Sequence, residues 1–106
     1  MWHGRVRAAD ADAYLAYLQR TGLADYRATP GNLGVLVHRT FVEDVAHYTL
    51  ITFWDSFDAI RAFAGDDYER ARYYPEDERF LLAKEERVLH AEVVAIDGVH
   101  IGAAGA

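Results

Sequence analysis

The chain of 106 residues contains no cysteine, which removes disulfide frameworks, thiolate metal centres and thiol nucleophiles together. No apolar run approaches the length of a membrane span, and the opening stretch MWHGRVR has no hydrophobic region of the kind that directs secretion. A cytoplasmic protein without a membrane partner is expected. Basic residues are scattered and outnumbered, 11 Lys and Arg against 17 Asp and Glu for a net charge of -6. No basic stripe exists to follow a phosphate backbone, so nucleic acid is not an expected partner. There is no Gly-rich dinucleotide loop and no internal repeat, and the length leaves no room for a second domain.

Aromatic residues are plentiful, seven of them tyrosines, as in a dense core or an aromatic-lined pocket. Trp2 to Arg7 alternates Trp2, Gly4 and Val6 against His3, Arg5 and Arg7, the pattern of a short strand. Asp10 is placed to cap a helix with Ala11, Tyr14, Leu15 and Leu18 on one face, and Gly22 to end it. Pro30, Gly31 and Asn32 reverse the chain. The strands LGVLVHRTFV and VAHYTLITFW then pair about Glu43-Asp44, with Thr40 opposite His47 and His38 opposite Thr49. Both faces of this hairpin read as largely buried. Asp55 or Ser56 caps a second helix carrying Phe57, Ile60 and Phe63, DDYERARYY resumes as a helical turn or two, and Pro75 starts the short segment PEDERFLL. A last strand is expected over about Glu86 to Ile96, and a frayed tail after it.

The order is strand, helix, strand, strand, helix, strand. It reads as an α+β ferredoxin-like βαββαβ domain over residues 1–96 with an antiparallel sheet and a C-terminal tail over 97–106. A sheet with helices on one side and apolar residues on both needs a second cover. Another copy of the chain supplies one, so a homodimer is expected, closed as a dimeric α+β barrel.

The residues ITFWDSFDAIRAFAG, together with TPGNLGV and ARYYPEDERFLL, resemble the antibiotic biosynthesis monooxygenase family of dimeric α+β barrels, from Trp2 to Val94. The resemblance implies a monooxygenase-like enzyme, or a related isomerase or cyclase. It would work without a cofactor on an aromatic or polyketide-like small molecule, in a pocket between sheet and helices. Trp54 falls where the quinone-forming branch has a pocket tryptophan. Leu50 and Ile60 stand where that branch has an asparagine and a tyrosine. Tyr73 falls near its functional arginine and at the place of the haem-ligating histidine of the haem-degrading branch. That branch's further partners fall near His3 and Phe63. On this reading His3 is the base, Trp54 and Tyr73 hold the developing oxyanion, and Tyr48, Leu50, Ile60, Phe63 and His90 contact the substrate.

Adjacent helical residues point about 100° apart, so Tyr73 is expected to face the cavity and Tyr74 to pack elsewhere. No metal site is expected. His38 and His47 lie diagonally on the hairpin face turned away from Trp54, where a structural polar network is the simpler reading. The competing functional reading is a dimeric module that holds a hydrophobic ligand, or haem on a Tyr73 phenolate, without turning it over. A third is a dimeric partner-binding protein whose own aromatics fill the pocket.

Overall fold

The inward side chains of β1 (Trp2–Arg7) are Trp2, Gly4 and Val6, and Val6 is fully buried. A short 3-10 turn leads into α1 (Ala11–Arg20), which presents Tyr14, Tyr17 and Leu18 to the core. The chain bends at Thr21 and continues as α2 (Gly22–Ala28). Strands β2 (Asn32–Val42) and β3 (Val45–Trp54) make the hairpin, α3 (Phe57–Ala64) follows, and the single-turn α4 (Asp77–Phe80) runs directly into β4 (Leu81–Ala83). The computed structural model describes residues 1–98. The fold is α+β, with one antiparallel four-stranded sheet in the order β2-β3-β1-β4, and is compatible with a ferredoxin-like fold. Among the described residues no helix is long and apolar enough to cross a membrane.

The core forms where α1 and α4 meet the inward face of the sheet. Tyr48 and Leu50 of β3 and Val6 of β1 meet Tyr14, Tyr17 and Phe80. The Tyr14 ring stands edge-on to Tyr48 at 5.2 Å and 5.5 Å from Phe80. The buried Tyr48 hydroxyl donates to the Ala11 carbonyl, so this large apolar ring carries no unpaired polar atom into the core.

Two glycines set the geometry. Gly31 turns the chain into β2 at φ 89°, and a Cβ there would lie 2.5 Å from the Ala59 Cβ. Its carbonyl accepts from the Asp55 N–H at 2.9 Å, joining the turn to the start of α3. At Gly4 a Cβ would lie 2.2 Å from the Trp2 ring, so the missing side chain is the space in which the indole lies.

The hairpin register is the expected one, His38 opposite Thr49 and Thr40 opposite His47, and the Ser56 hydroxyl caps α3 by accepting from the Ala59 N–H at 3.1 Å. Five expectations are corrected. Gly22 opens α2 rather than ending a helix, and Asp10 precedes α1 without a side-chain cap bond. Residues 65–76 form turns and irregular chain, because Gly65 leaves α3 at φ 86° and the helix is not renewed before Pro75. The fourth strand is Leu81–Ala83, not Glu86 to Ile96. β4 pairs β1 only at Arg5 and Val6, across an irregularity in register, and beyond it the later segment bonds back toward β1 only at Met1 instead of forming a ladder. Its alternation ends in an extended stretch held at the isolated Arg70–Arg87 bridge and at Met1, whose carbonyl accepts from Leu89 N–H. The hairpin's outer face is not buried within the chain, since Leu36 and Val42 are 42% and 58% exposed. The expected tail at 97–106 lies outside the described residues from 99 onward.

Candidate active site

Between the sheet, α1 to α3 and the irregular segment 65–76 lies a cavity of about 70 Å³. That is less than half of the about 150 Å³ that holds a benzene, so the inner cavity alone has room for about two waters. Three rings form one wall: Phe63 packs 4.7 Å from Tyr26 and 5.7 Å from Trp54, and Tyr26 meets Trp54 at 6.1 Å. Trp2 and Tyr73 form another, edge to face at 6.2 Å. Leu50 and Ile60 add aliphatic surface, and Tyr74, Asp77 and His90 bring polar atoms. A wider recess of about 500 Å³ lies alongside, sharing Thr52, Trp54, Ile60 and His90 with the cavity and bounded by Leu89 and Val93 of the C-terminal segment.

Most polar atoms in these walls are already paired. The Tyr73 hydroxyl accepts from Trp2 Nε1 at 3.1 Å and donates to the Glu85 carbonyl at 2.6 Å. Trp54 Nε1 donates to Thr52 Oγ1 at 2.9 Å. His90 Nε2 lies 2.7 Å from the Tyr68 carbonyl, and because a carbonyl only accepts, that nitrogen carries the proton. The Tyr74 hydroxyl donates to Asp25.

Burial pushes the Tyr26 phenol up to about 12 and raises those of Tyr14, Tyr73 and Tyr74, as removing a phenolate from water disfavours it. At neutral pH these phenols are donors, and none is a base. The carboxylate in the lining belongs to Asp77, which is 4% exposed. Its Oδ2 accepts from the Tyr74 N–H at 2.6 Å. Burial raises its pKa above the usual value, with the Tyr74 N–H and the more distant Lys84 pulling the other way. A buried carboxyl adjusted toward neutrality beside an aromatic cavity is suited to proton transfer.

The cavity therefore brings together Trp54, Tyr73, Leu50, Ile60, Phe63 and His90 among the residues expected at the site. Tyr74 lines it as well, because the two phenols stand on irregular chain rather than a helix. Tyr48 is sealed in the core below. His3 is on the other face of the sheet, as its alternation with Trp2 requires. There its Nδ1 lies 3.1 Å from Glu85 and its Nε2 lies 3.1 Å from His47 Nδ1, with the two imidazoles stacked. Glu85 accepts from Nδ1, so a neutral His3 presents a lone pair at Nε2 to the His47 N–H. Among the described residues no group of three potential ligands could hold a metal ion.

Trp2, Tyr26, Arg72 and Asp77 are lining residues that sequence reasoning did not place in the site. Two had a legible signal. Trp2 shares the inward face of β1 with Val6, and Asp77 precedes the buried Phe80 by three residues, on the same face of a helical turn. Tyr26 had none, since α2 reads as a connector. No protein-family model matches this chain, and neither does any curated protein or solved structure.

Tyr73→Phe is expected to destabilise the fold by about 1–3 kcal/mol, since it removes the bond to the Glu85 carbonyl and leaves the Trp2 indole N–H unpaired. Urea unfolding followed at both tryptophans measures this directly. A change within a few tenths of a kcal/mol would show that the hydroxyl bridges nothing of consequence.

Proposed function

We propose that this chain is a small cofactor-independent monooxygenase-like enzyme, similar to the antibiotic biosynthesis monooxygenase family, acting in the cytoplasm on an aromatic or polyketide-like molecule. The observation that carries the reading is the buried Asp77 carboxyl in the wall of an aromatic-lined cavity. Asp77 takes the place expected for His3 as proton acceptor. It removes the proton of a phenolic hydroxyl, and the electron-rich ring carbon para to the phenolate forms a C–O bond with dioxygen. Asp77 returns the proton to the outer peroxide oxygen. Loss of water, made from that outer OH and the ring hydrogen, leaves the quinone. One oxygen atom enters the product, the other leaves as water, and dioxygen is the oxidant throughout.

In the same reading the elements complete a βαββαβ order and the chain is a homodimer. The outer sheet face carries Leu36 and Val42, and the C-terminal segment exposes Leu89, Val93, Val94 and Ile96, an apolar area that a second copy would cover. Light scattering at micromolar concentration is expected to give twice the 12.0 kDa chain mass. A monodisperse folded monomer would end the dimer proposal.

A second reading is a non-catalytic holder of a hydrophobic ligand. It is favoured by the spent donors of Trp2, Trp54 and Tyr73, which leave little besides shape and apolar contact. Haem does not suit it. The raised Tyr73 pKa opposes the phenolate that ligation there would need.

Oxygen uptake in the presence of a methoxyphenol separates the two readings. Uptake above the protein-free rate is expected, falling by about 10²–10⁴-fold in Asp77→Asn while the unfolding transition stays in place. Binding without uptake would leave the holder, and uptake indifferent to Asp77→Asn would remove Asp77 from the chemistry.

A further inference from the structure

The protein's own hydrogen bonds leave polar groups in the cavity wall unused. Tyr14 lines the cavity at 1% exposure, and among the described residues its hydroxyl has no hydrogen-bond partner. The Tyr26 hydroxyl has none either, and Asp77 uses only Oδ2, toward the Tyr74 N–H. No fully enclosed side-chain nitrogen or oxygen among the described residues lacks a partner, so these atoms open onto free space. For Tyr14 and Asp77, both nearly sealed from solvent, that space is the cavity. Burial raises the Tyr14 pKa and the charge of Asp77 adds to it, which sets the two groups near each other. A buried water needs about two to four polar partners. Tyr14, Tyr26 and Asp77 supply them.

No aromatic ring enters a space of about 70 Å³. The recess beside it, at about 500 Å³, is within the range of a small-molecule pocket, about 300–1,000 Å³. Its walls are apolar at Leu33, Ile51, Phe57 and Leu89, and Trp54, Ile60 and His90 border both spaces. We propose that the recess holds the rings of a two-ring phenol whose hydroxyl enters the cavity in place of one water, and that the remaining water carries its proton to Asp77. Tyr14 donates to that water and is a positioning residue. The phenol oxygen gives its proton to the water, the water passes one of its own to Asp77 Oδ1, and no electron changes hands. Transfer across a single water is within a general base's reach. The inference rests on the proton transfer assigned to Asp77 above, and adds where the substrate lies and how its proton reaches the carboxylate.

2-Naphthol, whose hydroxyl becomes strongly acidic in the excited state, tests it by two signals. Titration is expected to shift the Phe57 and Leu89 backbone amides saturably. 2-Methoxynaphthalene, which has no proton to donate, is expected to bind about two- to tenfold more weakly, the worth of one hydrogen bond. Excited where tryptophan does not absorb, the bound naphthol is expected to emit mainly as naphtholate. Asp77→Asn is expected to lose most of that emission and Tyr14→Phe a smaller part, with the amide shifts retained in both. Tyr14→Phe keeps the ring that packs on Tyr48 and Phe80, and serves if Asp77→Asn does not fold. Fixed Phe57 and Leu89 amides, as when a second copy fills the recess, would overturn the proposal, and so would equal affinity for the ether. Naphtholate emission indifferent to both variants would overturn it too, while oxygen uptake that still depends on Asp77 would leave the enzyme reading in place. Asp77-dependent emission without oxygen uptake would support the relay and overturn the monooxygenase reading.

Discussion

The Tyr73 hydroxyl joins three parts of the chain that share no regular hydrogen-bond ladder. It accepts from the Trp2 indole on β1, it belongs to the irregular segment 65–76, and it donates to the Glu85 carbonyl just beyond β4. Other bonds hold the same segments, Tyr74 to Asp25, Arg72 to the Phe63 carbonyl, Arg87 to Asp67 and Leu89 to Met1. They share one isolated bridge, between Arg70 and Arg87, and a few backbone bonds. The cavity exists because these segments are pinned over the inward face rather than free, so one phenol positions groups far from it in sequence. Gly4 completes the arrangement by leaving the Trp2 indole room to lie over β1.

A pinned roof of tyrosines produces an environment with a definite polarity. Burial holds the phenols protonated, and those of Tyr73 and Tyr74 donate within the protein. The rest of the lining is aromatic surface, the Tyr14 and Tyr26 phenols and the buried Asp77 carboxyl, with the exposed Arg70 and Arg72 beside them. On the opposite face of the same sheet, Glu85, His3 and His47 form a separate polar array, so Glu85 serves both sides, by its backbone carbonyl inward and its carboxylate outward.

Strand periodicity was legible. The alternation of Trp2, Gly4 and Val6 gave the inward face of β1, and the turn at Glu43-Asp44 set the hairpin register residue by residue. Both follow from the fixed two-residue period of a strand, which short sequences express without tertiary help. The same rule misread residues 88–95, whose alternation is equally regular, because Leu81–Ala83 takes the pairing at Arg5 and Val6 and beyond it only Leu89 bonds back, to Met1. Of the site, the side chains on regular elements, Leu50, Trp54, Ile60 and Phe63, were placed correctly at the cavity. His3 was not, although its own alternation with Trp2 already put it on the other face. The arginines and Asp77 were missed because their positions depend on how irregular chain is folded back, which local pattern does not encode.

The central claim is that this aromatic cavity is a ligand site rather than a packing defect. Both of the chain's tryptophans line it, so the two indole N–H resonances in a nitrogen-15 correlation spectrum report on it, with Trp54 also bordering the recess. Titration with a methoxyphenol is predicted to move both indole signals saturably, with the backbone amides of His47 and Thr49 on the outer-face rows of β3 nearly still. Indole signals that stay fixed while outer-face amides move would contradict the account.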